Sequence, residues 1–314
     1  MPQKILLDVD TGIDDALAIY YALRHPELEP VGFTCVFGNT DVDIATTNTL
    51  RILELAGRPE LPVAMGAARS LLWPYTREAD FVHGSNGLGD VELPEPAAKA
   101  VDEHAADFII RMVKEAPGEI ALCPVGPMTN IGLALAKAPE IAGLVKEIVV
   151  MGSTLAHPGI HGVARPMVDA NFHNDPEAAH ILMQSSAPIT LVGMDATMTT
   201  LMSREMMDDI RANGTEAGRV LMEITEFYVR SYEQMHPGIA GCPLHDPLAV
   251  AACHAPDLLT RERLRIDIEL SGALTRGQAI PDRRPMGLER ANCEVATGVD
   301  APRFEAMFHE TMLM

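Results

Sequence analysis

The chain has 314 residues, of which 47% are hydrophobic and 4% aromatic, and it carries a formal net charge of -20 at pH 7. This length and composition are typical of an α/β protein with a large buried core. The acidic balance argues against a nucleic-acid partner, because phosphate backbones are bound mainly by Lys and Arg. A small molecule or a metal ion is the better match.

Acidic residues cluster where the first predicted strand turns into the first predicted helix. Apolar residues 5–7 form the strand, Gly12 permits a tight turn, and residues 16–23 recur with helical spacing. The acidic side chains of this segment are Asp8, Asp10, Asp14 and Asp15. Asp14 and Asp15 can be explained as helix caps, but charge at the end of an apolar strand is costly unless paired or metal-bound. The cluster therefore predicts a hard cation such as Ca²⁺ or Mg²⁺.

The same pattern of strand, polar turn and helix recurs after residue 30. A second strand over residues 31–37 ends in Gly38-Asn39, and residues 44–55 follow with helical spacing. This repetition predicts right-handed βαβ crossovers and a Rossmann-like α/β fold with a mostly parallel central sheet flanked by helices, in one domain over residues 1–314. Asn39 is then placed at the same sheet edge as Asp10, although an Asn after Gly is also a common turn residue.

The middle of the chain adds a loop and a third turn. Residues 67–94 lack periodicity, which predicts a lid or pocket wall, with His83 as either a substrate contact or a plain surface histidine. A strand over residues 119–124 leads into a Gly-Pro turn, where the Val125 carbonyl is a candidate ligand for a hard metal.

Two later segments also place polar residues before helices. Asp175 precedes a proline and is predicted to be a helix cap, whereas Asp169 and Asn171 lie two apart and are placed to face one pocket. His245 and Asp246 open an apolar helix, either as a cap or as part of the site.

Cysteine usage and the amino terminus bear on the cellular compartment. The 5 cysteines are scattered without a CxxC spacing, so neither a disulfide framework nor a zinc site is indicated. The amino terminus shows no secretory signal, and no apolar run is long enough for a membrane span. We therefore expect a cytoplasmic protein without a membrane partner.

Taken together, the motifs resemble the inosine-uridine preferring nucleoside hydrolase family. The matching segments occur in the expected order over nearly the whole chain, and they are Asp8–Ala16, Gly38-Asn39, Val125–Asn130, His245–Ala249 and Thr275-Arg276-Gly277. The resemblance implies hydrolysis of the N-glycosidic bond of ribonucleosides to ribose and free base, by a homotetramer or homodimer.

The resemblance also implies roles for individual residues. The Ca²⁺ ligands would be Asp10, Asp15, the Val125 carbonyl and Asp246. The ribose hydroxyls would be bound by Asp14, Asn39, Asn171 and Asp246. Asp10 would be the general base toward a water activated by the cation, and His245, with a pKa near neutrality, would protonate the leaving base. Tyr228 and Tyr232, four apart on one predicted helix, are either nucleobase contacts or ordinary helix packing.

One region departs from the family pattern. The family usually has Gly-Asn and Glu-Phe-Asn where this chain has Gly162-Val163 and Asp169-Ala170-Asn171. The replaced Asn and Glu normally hold the ribose 5′ hydroxyl, a contact that Val163 cannot make and that Asp169, one methylene shorter, reaches less easily. We therefore predict weak activity on ordinary inosine and uridine, or a preference for a 5′-modified riboside.

Two alternatives belong to other functional classes. Asp8-Val9-Asp10-Thr11 also resembles the nucleophile motif of Mg²⁺-dependent phosphatases of the haloacid dehalogenase superfamily, but that interpretation leaves Asn39 and His245 without roles. A non-catalytic Ca²⁺-dependent riboside-binding protein is the second alternative. It predicts that a riboside binds and is not consumed.

Overall fold

The computed structural model describes residues 1–155, 160–162 and 165–314. Its strands are β1 (Gln3–Val9), β2 (Leu28–Cys35), β3 (Val63–Met65), β4 (Ile120–Pro124), β5 (Glu147–Met151), β6 (Ile189–Val192), β7 (Leu201–Met202), β8 (Cys242–Pro243), β9 (Leu259–Ile268), β10 (Ala279–Asp282) and β11 (Cys293–Val299). Its helices are α1 (Ile13–Arg24), α2 (Val42–Leu55), α3 (Asp80–His83), α4 (Ala105–Glu115), α5 (Thr129–Lys137), α6 (Ala170–Asn174), α7 (Pro176–Met183), α8 (Met194–Thr197), α9 (Arg204–Asn213), α10 (Glu216–Met235), α11 (His245–Ala252), α12 (Pro285–Leu288) and α13 (Ala301–Met312).

A nine-stranded sheet forms the centre of the fold, in the order β10-β9-β11-β6-β5-β4-β1-β2-β3. Neighbouring strands are parallel from β3 through to β11, whereas β9 is antiparallel to both β11 and β10. The predicted mostly parallel sheet with flanking helices is therefore confirmed. The antiparallel end of the sheet was not predicted.

Both faces of the sheet are covered by helices. In β1, Ile5 and Leu7 pack in the layer that contains α1, and Leu6 packs in the opposite layer, because successive side chains of a strand point to opposite faces. A strand buried on both faces needs a continuous apolar run. This explains why the β1 sequence is apolar without alternation up to Asp8.

The sheet order places a topological switch point between β1 and β4. β1 pairs in parallel with β2 on one side and with β4 on the other, and the chain leaves these strands in opposite directions along the sheet. Ligands of open α/β sheets bind at such a point, outside the carboxyl ends of the strands. The turns after these strands carry Asp10, Asn39 and Val125.

The segment between β3 and α4 contains only the short helix α3 among its regular helices and strands, as expected for the irregular loop predicted at residues 67–94. Across the ranges that the structure describes, none of the helices combines the length and apolarity needed to cross a bilayer.

Candidate active site

Asp15 organises the turn between β1 and α1. Its Oδ2 accepts a hydrogen bond from the Gly12 amide at 2.9 Å, and its Oδ1 accepts one from the Asp10 amide at 3.1 Å. Asp15 thus satisfies amides that a helix start leaves free, as predicted for a helix cap. The Asn39 side chain also donates to Oδ2 at 3.0 Å, so the same carboxylate faces the end of β2.

Asp10 is enclosed by backbone. Its Oδ2 accepts a hydrogen bond from the Asn39 amide at 2.7 Å. A Cβ at Gly38 would lie 2.0 Å from Oδ2, and a Cβ at Gly126 would lie 2.9 Å from Oδ1. The glycines of two different turns therefore let the chain approach this carboxylate closely.

Asp8 lies beneath this cluster and is held by neighbouring strands. Its Oδ1 accepts hydrogen bonds from Thr34 at 2.5 Å and from the Asn130 side chain at 2.8 Å. Burial raises the pKa of Asp8 to about 7. Asn130 also donates to the Cys35 carbonyl at 2.9 Å and accepts from the Ala67 amide at 2.9 Å, so it joins β1, β2 and the start of the 67–94 loop.

Asp14 lies on the opposite side, beside two aromatic rings. Its Oδ2 accepts a hydrogen bond from the Tyr228 hydroxyl at 3.0 Å, and its Oδ1 lies 3.9 Å from His83 Nδ1. His83 is buried, accepts a hydrogen bond from the Ile13 amide at 3.1 Å and has its pKa lowered by burial to about 3. The alternative of a plain surface histidine is wrong.

The donor set fits a hard divalent cation. One carboxylate oxygen from each of Asp14, Asp15 and Asp246 lies within 4.8 Å of the others. Burial raises the pKa of Asp246, and the charges of Asp14 and Asp15 raise it further. Oδ1 of Asp10 and Oδ1 of Asp14 are buried and lack a hydrogen-bond partner within the described ranges. A bound cation would neutralise the charge of these carboxylates and offset their mutual repulsion.

The wall next to the cluster is formed by the start of α6 and its capping residue Asp169. Asn171 donates to the Val125 carbonyl at 2.7 Å, which leaves that oxygen a second lone pair. Asp169 Oδ1 accepts a hydrogen bond from the Ser153 amide at 2.7 Å, and Oδ2 accepts one from the Asn171 amide at 2.9 Å. Both carboxylate oxygens are therefore bonded to backbone amides. Val163, also predicted to affect this wall, lies outside the described residues.

His245 lies in a chain of hydroxyl groups. Its Nδ1 is 2.6 Å from Thr197 Oγ1, and its Nε2 is 2.8 Å from the Tyr232 hydroxyl. Burial lowers the pKa of His245 to about 4, although the charge of Asp14 opposes this. The expectation of a pKa near neutrality is therefore wrong, and the ring is neutral at pH 7. Tyr228 and Tyr232 pack edge to face with ring centroids 4.8 Å apart.

The sequence model of the inosine-uridine preferring nucleoside hydrolases matches residues 5–306.

The chain belongs to this family.

Relatives of the nucleoside hydrolase family match almost the full chain. The inosine-uridine preferring nucleoside hydrolase of Leishmania major is 38% identical over 97% of this chain and 95% of its own length. The probable uridine nucleosidase 1 of Oryza sativa subsp. japonica is 37% identical over 99% of this chain and 96% of its own. A solved structure, the purine-preferring ribonucleoside hydrolase from Gardnerella vaginalis, superposes with a TM-score of 0.94 at 41% identity, covering 99% of this chain and 98% of that one.

Nucleoside hydrolases are metal-dependent enzymes that cleave the N-glycosidic bond of ribonucleosides, so the phosphatase alternative and the non-catalytic alternative are both set aside.

The nucleoside hydrolase pocket also contains residues for which no role was predicted. A cavity of about 290 Å³ is lined by the carboxylates Asp14 and Asp246, by both tyrosines, and by Trp73, Arg165, His173 and Arg276. Arg276 pairs with Glu177 at 2.5 Å and lies over the Trp73 ring, 5.2 Å from its centroid. Only the Thr-Arg-Gly motif pointed to Arg276, and no local signal pointed to Thr197.

Anchoring of the 67–94 loop explains how its aromatic residues reach the cavity. Asp175 caps α7 as predicted, accepting from the Ala178 amide at 3.1 Å, but it also accepts from the Leu71 amide at 3.0 Å. Tyr75 donates to the Gly38 carbonyl at 2.8 Å. The loop is thus tied to the turn that encloses Asp10.

Proposed function

We propose that this nucleoside hydrolase depends on Ca²⁺ and uses Asp10 as the general base. The ligands would be Asp10, Asp15, the Val125 carbonyl and Asp246. When bound, the cation would orient a water and lower its pKa. The observation that supports this proposal is the group of buried carboxylate oxygens that lack hydrogen-bond partners within the described residues, at the carboxyl end of β1.

Asp10 is suited to take up a proton. Its Oδ2 is fixed by the Asn39 amide, which leaves Oδ1 to accept the proton of the attacking water. Burial and the charge of Asp15 raise the pKa of Asp10 well above its ordinary value. A base with a raised pKa is stronger, and a neighbouring cation would keep it ionised at neutral pH.

The sugar would be held by the surrounding polar groups. The residues proposed to bind the ribose hydroxyls all line the cavity, and they are Asp14, Asn39, Asn171 and Asp246. Departure of the base gives the sugar oxocarbenium character. Fixed negative charge around the ring then stabilises the transition state more than the ground state.

The leaving base would contact the side of the cavity that His245 lines. Because the ring is neutral at pH 7, it contributes a hydrogen bond in the ground state, and Thr197 and Tyr232 fix its orientation. The charge of Asp14 raises the pKa of His245. This charge would stabilise an imidazolium formed when His245 takes up a proton from solvent, and the ring would then pass the proton through the Tyr232 hydroxyl to the leaving base.

Recognition of the 5′ position is proposed to differ from the common family pattern. Both oxygens of Asp169 are engaged with backbone amides, and burial raises its pKa to about 6. Because both of its oxygens already accept hydrogen bonds from the backbone, this carboxylate is a poor partner for a 5′ hydroxyl. We expect weak turnover of inosine and uridine and faster turnover of a riboside altered at C5′; inosine turnover equal to the best substrate would contradict this.

Assembly is proposed from the same resemblance, and the compartment from the scattered cysteines, which are all free within the described residues. The exposed apolar side chains Ile280, Met286 and Leu288 lie on β10 and α12 at the end of the sheet, as expected for a covered surface. We propose a homodimer or homotetramer in the cytoplasm, and light scattering of the purified protein measures the assembly.

One experiment tests the catalytic proposal. A panel of purine, pyrimidine and 5′-modified ribosides is assayed for release of reducing sugar, after chelation and after return of Ca²⁺. We expect activity only with the metal, and a loss of about 10²–10⁴-fold in kcat for Asp10→Asn, the range for a general base. The exposed Asp102→Asn variant serves as the control for lost charge. Equal rates for Asp10→Asn and Asp102→Asn would overturn the proposal.

A further inference from the structure

Two helices that carry active-site residues also come together at their opposite ends. α1 begins with Asp14 and Asp15 in its first turn, and α11 begins with His245 and Asp246. The two helices pack against each other in one core layer. α1 has 12 residues, so its carboxyl end lies roughly 18 Å from the catalytic carboxylates.

At that far end, three potential metal ligands converge from separate segments. His25 follows α1, Glu27 precedes β2, and His254 follows α11. One ring nitrogen of each histidine and one Glu27 oxygen lie within 4.8 Å of one another. His254 Nδ1 and Glu27 Oε2 are 3.2 Å apart.

The separation of His254 Nδ1 and Glu27 Oε2 suits a small tetrahedral ion. Zinc bonds to nitrogen and oxygen measure about 2.0–2.2 Å, which places neighbouring tetrahedral ligands roughly 3.3 Å apart. Imidazole nitrogens favour zinc, copper or nickel, whereas Ca²⁺ prefers an all-oxygen shell. The chemistry of this cluster is therefore different from that of the catalytic carboxylates.

The surroundings also favour a bound cation. His254 Nε2 lies 3.0 Å from the Tyr21 hydroxyl, and a second hydrogen bond of this kind orients most metal-binding histidines. The carboxyl ends of α1 and α11 both present the negative end of a helix dipole.

We propose that His25, Glu27 and His254 form a second metal site, which takes a transition-metal ion such as Zn²⁺ with water as the fourth ligand. The His254 side chain is 2% exposed and Glu27 is 71% exposed, so the ion enters from solvent beside the glutamate. The bound ion ties the carboxyl ends of α1 and α11 together. Its effect is on the stability of the two helices that position the catalytic residues, with no part in the reaction.

The competing explanation is aromatic packing without a metal. The rings of His25 and His254 lie 4.0 Å apart between centroids, and Tyr21 packs 5.2 Å from His25. Packing alone needs neither the Glu27 carboxylate nor a metal. The two explanations therefore differ in what Glu27→Gln does.

The test is a ZnCl₂ titration by calorimetry of the full chain, with Ca²⁺ in excess to occupy the carboxylate cluster. We expect one Zn²⁺ per chain and a rise in Tm on Zn²⁺ addition, since a ligand that binds only the folded state stabilises it. His254→Gln and Glu27→Gln should weaken Zn²⁺ binding by about tenfold or more and reduce the rise in Tm. The matched control is His104→Gln, at an exposed histidine elsewhere on the surface.

Because Glu27 is exposed, its glutamine variant keeps the fold even where a histidine variant fails to fold. As a second readout, Co²⁺ bound at the site should give visible absorption bands that Glu27→Gln removes. Zn²⁺ binding that is equal in wild type and Glu27→Gln, or absent from the wild type, overturns the proposal.

Discussion

Gly38→Ala is the sharpest test of how the turn after β2 sets the position of Asp10. A Cβ at residue 38 would lie 2.0 Å from Asp10 Oδ2 and 2.8 Å from both Asp10 Cγ and Pro127 Cδ. Because Pro127 belongs to a rigid turn, the carboxylate is the group that moves. Relief of the contact needs a shift of about 1 Å, and a misplacement of that size costs about 10²-fold in rate.

That loss corresponds to about 2.7 kcal/mol of transition-state stabilisation. The shift also lengthens the 2.7 Å hydrogen bond from the Asn39 amide. The assay is kcat/KM for the best riboside of the panel at saturating Ca²⁺. Gly143→Ala is the matched control, because a Cβ there meets nothing within 4 Å. Rates for the two alanine variants within about threefold of each other would refute the argument that close backbone approach fixes the base.

Three further predictions concern the partners of the carboxylates. Tyr228→Phe removes the hydroxyl that donates to Asp14 at 3.0 Å and should reduce kcat/KM by about 10–100-fold, the equivalent of one hydrogen bond to a charged group; an unchanged value in steady-state kinetics contradicts this. Asn130→Ala removes hydrogen bonds to Asp8, Cys35 and Ala67. It should lower the free energy of unfolding, measured in urea, by about 3 kcal/mol. A loss below about 1 kcal/mol would show that these three hydrogen bonds do not stabilise the fold. Burial raises the pKa of Asp15 to about 7, so below that pH the cation must displace a proton to bind. The Ca²⁺ Kd measured by calorimetry should therefore rise by about tenfold from pH 7.5 to pH 6. A constant Kd would show that no proton is released.

The parallel part of the fold could be predicted because its signals are local. Each strand from β1 to β6 is a short apolar run followed by a polar turn, and the strand predicted at residues 119–124 matches β4. The antiparallel strands β9, β10 and β11 could not be predicted in the same way. β9 is exposed along much of one face, and its pairing depends on contacts with a strand that lies far along the chain.

Site residues that directly follow a strand could be predicted from the sequence. Asp10, Asn39 and Val125 come together because parallel strands end at one edge. Contacts between side chains far apart in sequence could not be predicted from strand ends. Examples are the contact of Thr197 with His245 and that of Asn130 with Asp8. The low pKa of His245 arises from burial, which the residue's position in the sequence does not reveal.

The carboxylate cluster draws Asp14 and Asp15 from the start of the chain and Asp246 from near its end. A cut at the surface turn around Gly143 would therefore divide the ligand set between two polypeptides. The cation would bind the reassembled pair far better than either piece, so Ca²⁺ should drive complementation of the two fragments by mass action. The ion that prepares the reaction would also join the two halves of the protein.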